Sequence, residues 1–88
     1  MPYQIVDTVT AQSLQDDLAQ SLFAWIVMRD LSEYPRLFVA RLVADTPTPF
    51  AVLGQTLDEL RAQLPPGLER VDRQPADPMN VVEVWCPV

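Results

Sequence analysis

Leucines recur at every fourth position in TAQSLQDDLAQSL: Leu14, Leu18 and Leu22 fall on one helical face and predict a short helix over residues 11–20. Ser13 followed by Asp16 reads as its capping box, and Asp16 and Asp17 as acids favoured at a helix start. The preceding MPYQIVDTV alternates weakly, with Tyr3, Ile5 and Val9 on one parity, and predicts a short edge strand or an arm. The next segment, LFAWIVMR over 22–29, is aromatic and β-branched and predicts a strand. Phe23, Trp25 and Val27 take one of its faces; Leu22, Ile26 and Met28 take the other. With both faces apolar, this strand is expected to be covered on both sides.

DLSEYP, residues 30–35, has turn chemistry. RLFVARLVA over 36–44 predicts a second strand, with Leu37, Val39, Arg41 and Val43 on one face and Phe38, Ala40 and Leu42 on the other. An arginine in mid-strand is expected at a rim or against a carboxylate. DTPTP, residues 45–49, predicts a turn, and FAVLG, residues 50–54, a third short strand. Thr56 and Glu59 then form a T-x-x-E cap ahead of the stripe Leu57, Leu60 and Leu64, and Pro65, Pro66 and Gly67 end the helix. Residues 67–80 read mostly as loop, with a short extended piece in LERV. VVEVWC over 81–86 predicts the last strand, with Val82, Val84 and Cys86 facing one way and Val81, Glu83 and Trp85 the other. The order (β)αβββαβ implies an α+β fold: a two-layer sandwich of an antiparallel sheet with three to five strands and two short helices, in one domain over residues 1–88.

Size sharpens this picture. In 88 residues that are 49% apolar, ordering at ~1.5 kcal/mol per residue nearly cancels burial at ~25 cal/mol per Å². One cysteine and no histidine leave no intrachain disulfide and no zinc cluster as a staple. Self-association is the expected support. One eight-residue helix over 57–64 does not cover two faces of a sheet, so the second face is expected to be covered by the N-terminal helix, a second copy or a partner chain. A homodimer is the first expectation and another protein the second.

The net charge of −6 disfavours direct binding to nucleic acid or to anionic membrane. All six basic residues are arginine, which suits forked carboxylate pairs. The N-terminus lacks the basic and apolar regions of a signal peptide, and the apolar run 22–28 is far too short to span a bilayer. A soluble cytoplasmic protein is expected.

Absent histidine removes the commonest general base and any Ser-His or Cys-His pair. Cys86 reads as a small buried hydrophobe. Asp16-Asp17 and Asp58-Glu59 read as solvated helix starts, and the loop holding Asp72 and Asp77 has prolines where an ion-binding loop needs oxygens and glycine. Arg61, Arg70 and Arg73 form ion pairs with Glu69, Asp72 and Asp77 in one reading, and an anion or partner site in the other. Trp25 and Trp85 fall on adjacent sheet positions; they pack the core or, together with Val27, Arg41, Arg70 and Arg73, anchor a protein interface. No residue is assigned to catalysis, cofactor or metal. The expected function is a non-catalytic interaction or regulatory module. An acidic nucleic-acid mimic, or inhibitor of a basic nuclease-like partner, is the alternative; a small enzyme using carboxylates with Arg41 or Arg73 is the third.

Strands followed by GQTLDELRAQL resemble HicB-type antitoxin domains, whose helix opens on a phrase similar to Gly54, Thr56, Leu57, Asp58, Glu59 and Leu60. The acidic-proline turn from Asp30 to Pro35 resembles that family's turn after its first strand. The likeness spans residues 22–64 and implies a partial RNase-H-like ββ(β)αβ fold that binds a partner protein without catalysis by this chain. The whole chain also resembles short uncharacterised bacterial protein families, which imply no activity.

Overall fold

Asp7 ends the N-terminal arm and begins the first helix. In the computed structural model, which describes residues 3–18, 22–45 and 47–88, its carboxylate accepts the Thr10 N–H at 2.8 Å and caps α1, Thr8–Asp17. That hydrogen bond, from backbone and side chain together, holds the Asp7 carboxyl below its usual range. The helix therefore starts three residues before the predicted boundary, and Ser13 and Asp16 lie inside it rather than at its cap. The β-branched run Thr8-Val9-Thr10 hid the start, because such residues are poor helix formers. Ala11, Leu14, Gln15 and Leu18 form the packed stripe; Leu22 lies beyond the helix and is exposed. The predicted helical residues Ala19 and Gln20 lie outside the described ones.

Six strands follow the order β1-β4-β3-β2-β6-β5 in one mixed sheet. They are β1 (Gln4–Ile5), β2 (Ala24–Met28), β3 (Phe38–Val43), β4 (Pro47–Gly54), β5 (Leu68–Asp72) and β6 (Val81–Pro87). β1 runs parallel to β4, and every other neighbouring pair is antiparallel. The α+β class matches the expectation, while the sheet has more strands and one parallel pair. β5 corresponds to the short extended piece expected in LERV; it reads weakly because it is an edge strand, mostly exposed, whose LERVD carries charges where a buried strand would carry apolar residues. β4 begins earlier than predicted, inside the proline segment. Pro47 pairs with Val43 across a register shift, and β1 pairs only with Phe50 and Ala51. Pro47 and Pro49 thus sit where a missing N–H removes no described ladder bond.

The core lies on one face of the sheet. Phe23, Trp25, Val27, Ala40, Leu42 and Val52 cluster there with Ala11 of α1 and with Leu60 and Leu64, from and just after α2 (Leu57–Gln63). Gln15 is buried among them; its Oε1 accepts the Trp25 indole N–H at 3.1 Å and its amide donates to the Pro66 carbonyl at 3.1 Å. Both helices therefore cover the same face. α2 is capped as predicted, Thr56 Oγ1 accepting the Glu59 N–H at 3.1 Å. Gly67 follows the double proline at φ +85°, a backbone region open to glycine.

Gly54 sets how close α2 lies to β4. A Cβ on Gly54 would stand 2.5 to 2.8 Å from the Leu60 N, Cα and Cβ atoms, which belong to the helix and its buried anchor. Gly54→Ala is expected to destabilise by about 1–3 kcal/mol in urea unfolding, against about 1 kcal/mol for removing the cap with Thr56→Ala. A neutral Gly54→Ala variant would contradict this packing.

Candidate functional site

Strand register converts the apolar pattern into a surface. Ile5, Ala51, Arg41, Ile26, Val84 and Val71 are successive cross-strand partners and form a single row across the sheet on the face away from the helices. Met28, Val39 and Leu53 form part of a neighbouring row, with Val81 set opposite Met28. Ile26, Met28, Val43, Leu53 and Val84 are half-buried, and the ends of the first row, Ile5 and Val71, are 42% and 40% exposed. Of the three ways to cover the second face, namely the N-terminal helix, a second copy or a partner chain, the helix is thereby removed: the buried residues of α1 face Trp25.

A β-bulge modifies the predicted faces of β6. The register shifts between Val27 and Met28, so that Val27 meets Glu83 and Met28 meets Val81. Val82 consequently packs against the helix-side core instead of sharing the face of Val84. Cys86, expected to be buried, is half-buried.

Arg41 sits in an inner strand and not at a rim, and among the described residues it pairs with no carboxylate. Its Nε donates to the Thr48 carbonyl at 2.9 Å, and its guanidinium carbon lies 5.0 Å from the centroid of the Tyr3 ring. Tyr3 stacks on Tyr34, with centroids 6.4 Å apart and ring planes 11° from parallel. This Arg41-Tyr3-Tyr34 group occupies the β1-β4-β3 end of the row, where Ala51 and Val39 are fully buried. The Ile26-Val84-Val71 end has no helix over it.

On the covered face, Glu83 is the one acid brought into the interior among the described residues, with 4% of its side chain exposed. Arg61 grips it with two parallel bonds: Nη2 to Oε1 at 2.6 Å and Nε to Oε2 at 3.0 Å. The Trp85 indole N–H donates to Oε2 at 2.6 Å. Burial alone would push this carboxyl up; the Arg61 and Trp85 hydrogen bonds, with the positive charges of Arg61 and Arg70, outweigh it and hold the group below its usual range. The same bond to Glu83 raises Arg61. An ionised carboxylate with both oxygens engaged ties α2 to β6, a structural role.

The interface residues inferred from sequence divide among these places. Trp25 and Val27 are fully buried under the helices, and Trp85 is half-buried opposite Trp25. The side of β2 open to a partner is the Ile26 side, which apolarity alone could not identify because both faces are apolar. Arg41 lies on that open face. Arg61, Arg70 and Arg73 do not form a common spot. Arg61 is tied to Glu83, Arg70 lies 3.7 Å from Asp72 on β5, and Arg73 donates to the Asp77 and Pro78 carbonyls of its own loop. Glu83 itself was missed; its only sequence signal is a charge inside VVEVWC on the parity of Trp85.

Among the described residues no group of three or more Cys, Asp or Glu is placed to hold a metal, and no helix is long and apolar enough to cross a membrane. No family model matches the chain, and no curated protein or solved structure matches it.

The Glu83 anchor has a pH signature. A carboxyl lowered in the folded state adds stability above its unfolded pKa of about 4.3, and that stability is lost as pH falls through the folded value. Glu83→Gln is therefore expected to lose about 2–3 kcal/mol at pH 7, with the gap to wild type narrowing as pH drops below about 4.3. Urea titrations from neutral to acid pH measure it; a gap constant across that range would contradict the assignment.

Proposed function

We propose that this chain is a non-catalytic interaction module that acts through protein–protein contact, as a homodimer whose copies cover each other's helix-free sheet face. The row Ile5-Ala51-Arg41-Ile26-Val84-Val71 carries the reading, because it places one charged side chain among five apolar ones on a face that neither helix covers. Helices on one side of the sheet and a second copy on the other would complete the layers around it. The part of the face left open beside the Arg41-Tyr3-Tyr34 group spans β3, β2, β6 and β5, about 14 Å wide at ~4.8 Å per strand spacing and about 20 Å long, near 300 Å² per copy. A facing pair would bury on the order of 600 Å², below the ~1,000 Å² of a stable specific interface, so the face contact alone would be weak.

Two further features support contact over catalysis. The one buried acid described, Glu83, is consumed by Arg61 and Trp85. The HicB-type resemblance over residues 22–64 carries the same implication, a domain that binds protein.

The test is oligomeric mass with face-specific variants. Ile26→Lys and Val84→Lys are expected to keep the far-UV spectrum and to halve the mass seen by light scattering at high micromolar concentration. Trp25→Glu, which removes the covered core, is expected to unfold the chain. A wild-type protein that scatters as a 9.9 kDa monomer under those conditions would overturn the proposal.

A further inference from the structure

β5 is an outer strand of the sheet, and its residues 69–73 read Glu-Arg-Val-Asp-Arg. Rotated by 180° about Val71, this segment meets its own opposite. Arg70 faces Asp72 and Val71 faces Val71; Glu69 faces Arg73, which lies just past the strand and is held by the carbonyls of its own loop. We infer that β5 pairs antiparallel with β5 of a second copy in this register, joining two sheets into one.

The backbone agrees with that register. Val88 N–H donates to the Gly67 carbonyl at 3.1 Å, so in the β5–β6 ladder Gly67, Glu69 and Val71 turn their backbone groups toward β6. Leu68, Arg70 and Asp72 turn theirs outward. Pro87, which has no N–H, lies opposite Leu68, where no β5–β6 bond is required. Pairing about Val71 sets outward residue against outward residue, Arg70 against the partner's Asp72 at both ends. Val71 against Val71 then becomes the closely spaced, non-hydrogen-bonded pair. The Asp72 carbonyl already accepts from the exposed Gln74 amide at 3.0 Å, and its second lone pair remains for a partner N–H.

Charge selects this register over its neighbours. A shift of two residues one way opposes Arg70 to Arg70; the other way, Asp72 to Asp72. Directly opposed like charges destabilise a strand pair, and opposite ones stabilise it. Charges on an edge commonly deter pairing, but here their order deters every neighbouring register and favours one. The other edge of the sheet differs, because β1 has two residues and β4 beside it carries Pro47 and Pro49. The pairing also gives Val71, 40% exposed, a cross-strand neighbour. It continues the row Ile26-Val84-Val71 into the partner's Val71 and onward.

This contact is separate from the face contact and does not rest on it. The edge dyad stands perpendicular to the sheet and the face dyad lies in its plane, so both fit one closed assembly.

Charge reversal and rescue test the inference by light scattering, with circular dichroism as the folding control. The intrachain Arg70–Asp72 pair is exposed, with 48% and 87% of the two side chains accessible, and Arg70 does less than the Arg61 and Trp85 bonds to hold Glu83 ionised, so its loss alone is expected to leave the fold intact. Arg70→Asp sets two carboxylates against each other at both ends of the strand pair and is expected to halve the wild-type mass. Asp72→Arg is expected to do the same, and the double exchange R70D/D72R to restore it. Val84→Lys separates the readings. If it leaves the mass unchanged while R70D halves it, the edge contact stands and the face contact fails. An R70D variant, folded and of wild-type mass, overturns the edge contact whatever Val84→Lys does. Failure of R70D/D72R to recover the mass overturns it as well.

Discussion

Helix placement is the constraint from which the rest of this molecule follows. α1 and α2 both bury their apolar stripes against Trp25, Val27, Leu42 and Val52, and this leaves one side of a six-stranded sheet without a helix. The placement is enforced by specific ties. Gln15 links the Trp25 indole to the Pro66 carbonyl, Thr8 donates to Gln63 at 3.0 Å between the two helices, and Arg61 bonds Glu83 on β6. Moving α1 to the other face would abandon the Trp25 and Gln63 bonds and leave Gln15 to find new partners.

Glu83 shows what this arrangement demands of a small chain. A carboxylate beneath a helix is unfavourable unless its oxygens are satisfied. Arg61 and Trp85 satisfy them together, one from α2 and one from the same strand. Arginine suits the position because its planar fork matches both oxygens at once, which lysine's single ammonium does not. Asp72, the cross-strand neighbour of Glu83, is in turn drawn to Arg70. Arg70 thus serves both neighbouring acids, Asp72 at 3.7 Å and, through its charge, Glu83.

The fold was legible in sequence where a local signal and the tertiary outcome coincide. Thr56 through Gly67 marked α2 to within a residue, because cap, stripe and stop are all local. β2 and β3 were legible from β-branched alternation, including their faces. What escaped, or read only as a short extended piece as β5 did, depended on distant partners. β5 is a strand only because β6 pairs with it, Pro47 joins β4 only through the shift opposite Val43, and the Val82 reversal arises from a bulge against β2. The candidate surface was half legible. Excess apolarity on β2 pointed to a contact; of the two readings of Trp25, core packing is the one the helices realise, and the open side of the strand is that of Ile26. The Arg61-Glu83 bond spans 22 residues and carries no local motif.

The central claim is that the face bearing Ile26 and Val84 is covered in solution by another copy of the chain. Methyl relaxation in the presence of a soluble paramagnetic agent reads this directly, with buried Val27 and exposed Val88 as internal limits. At high protein concentration the Ile26 and Val84 methyls are expected to be protected almost as well as those of Val27, and to lose that protection on dilution. Methyls of Ile26 and Val84 that relax as fast as those of Val88 at every concentration would contradict the account.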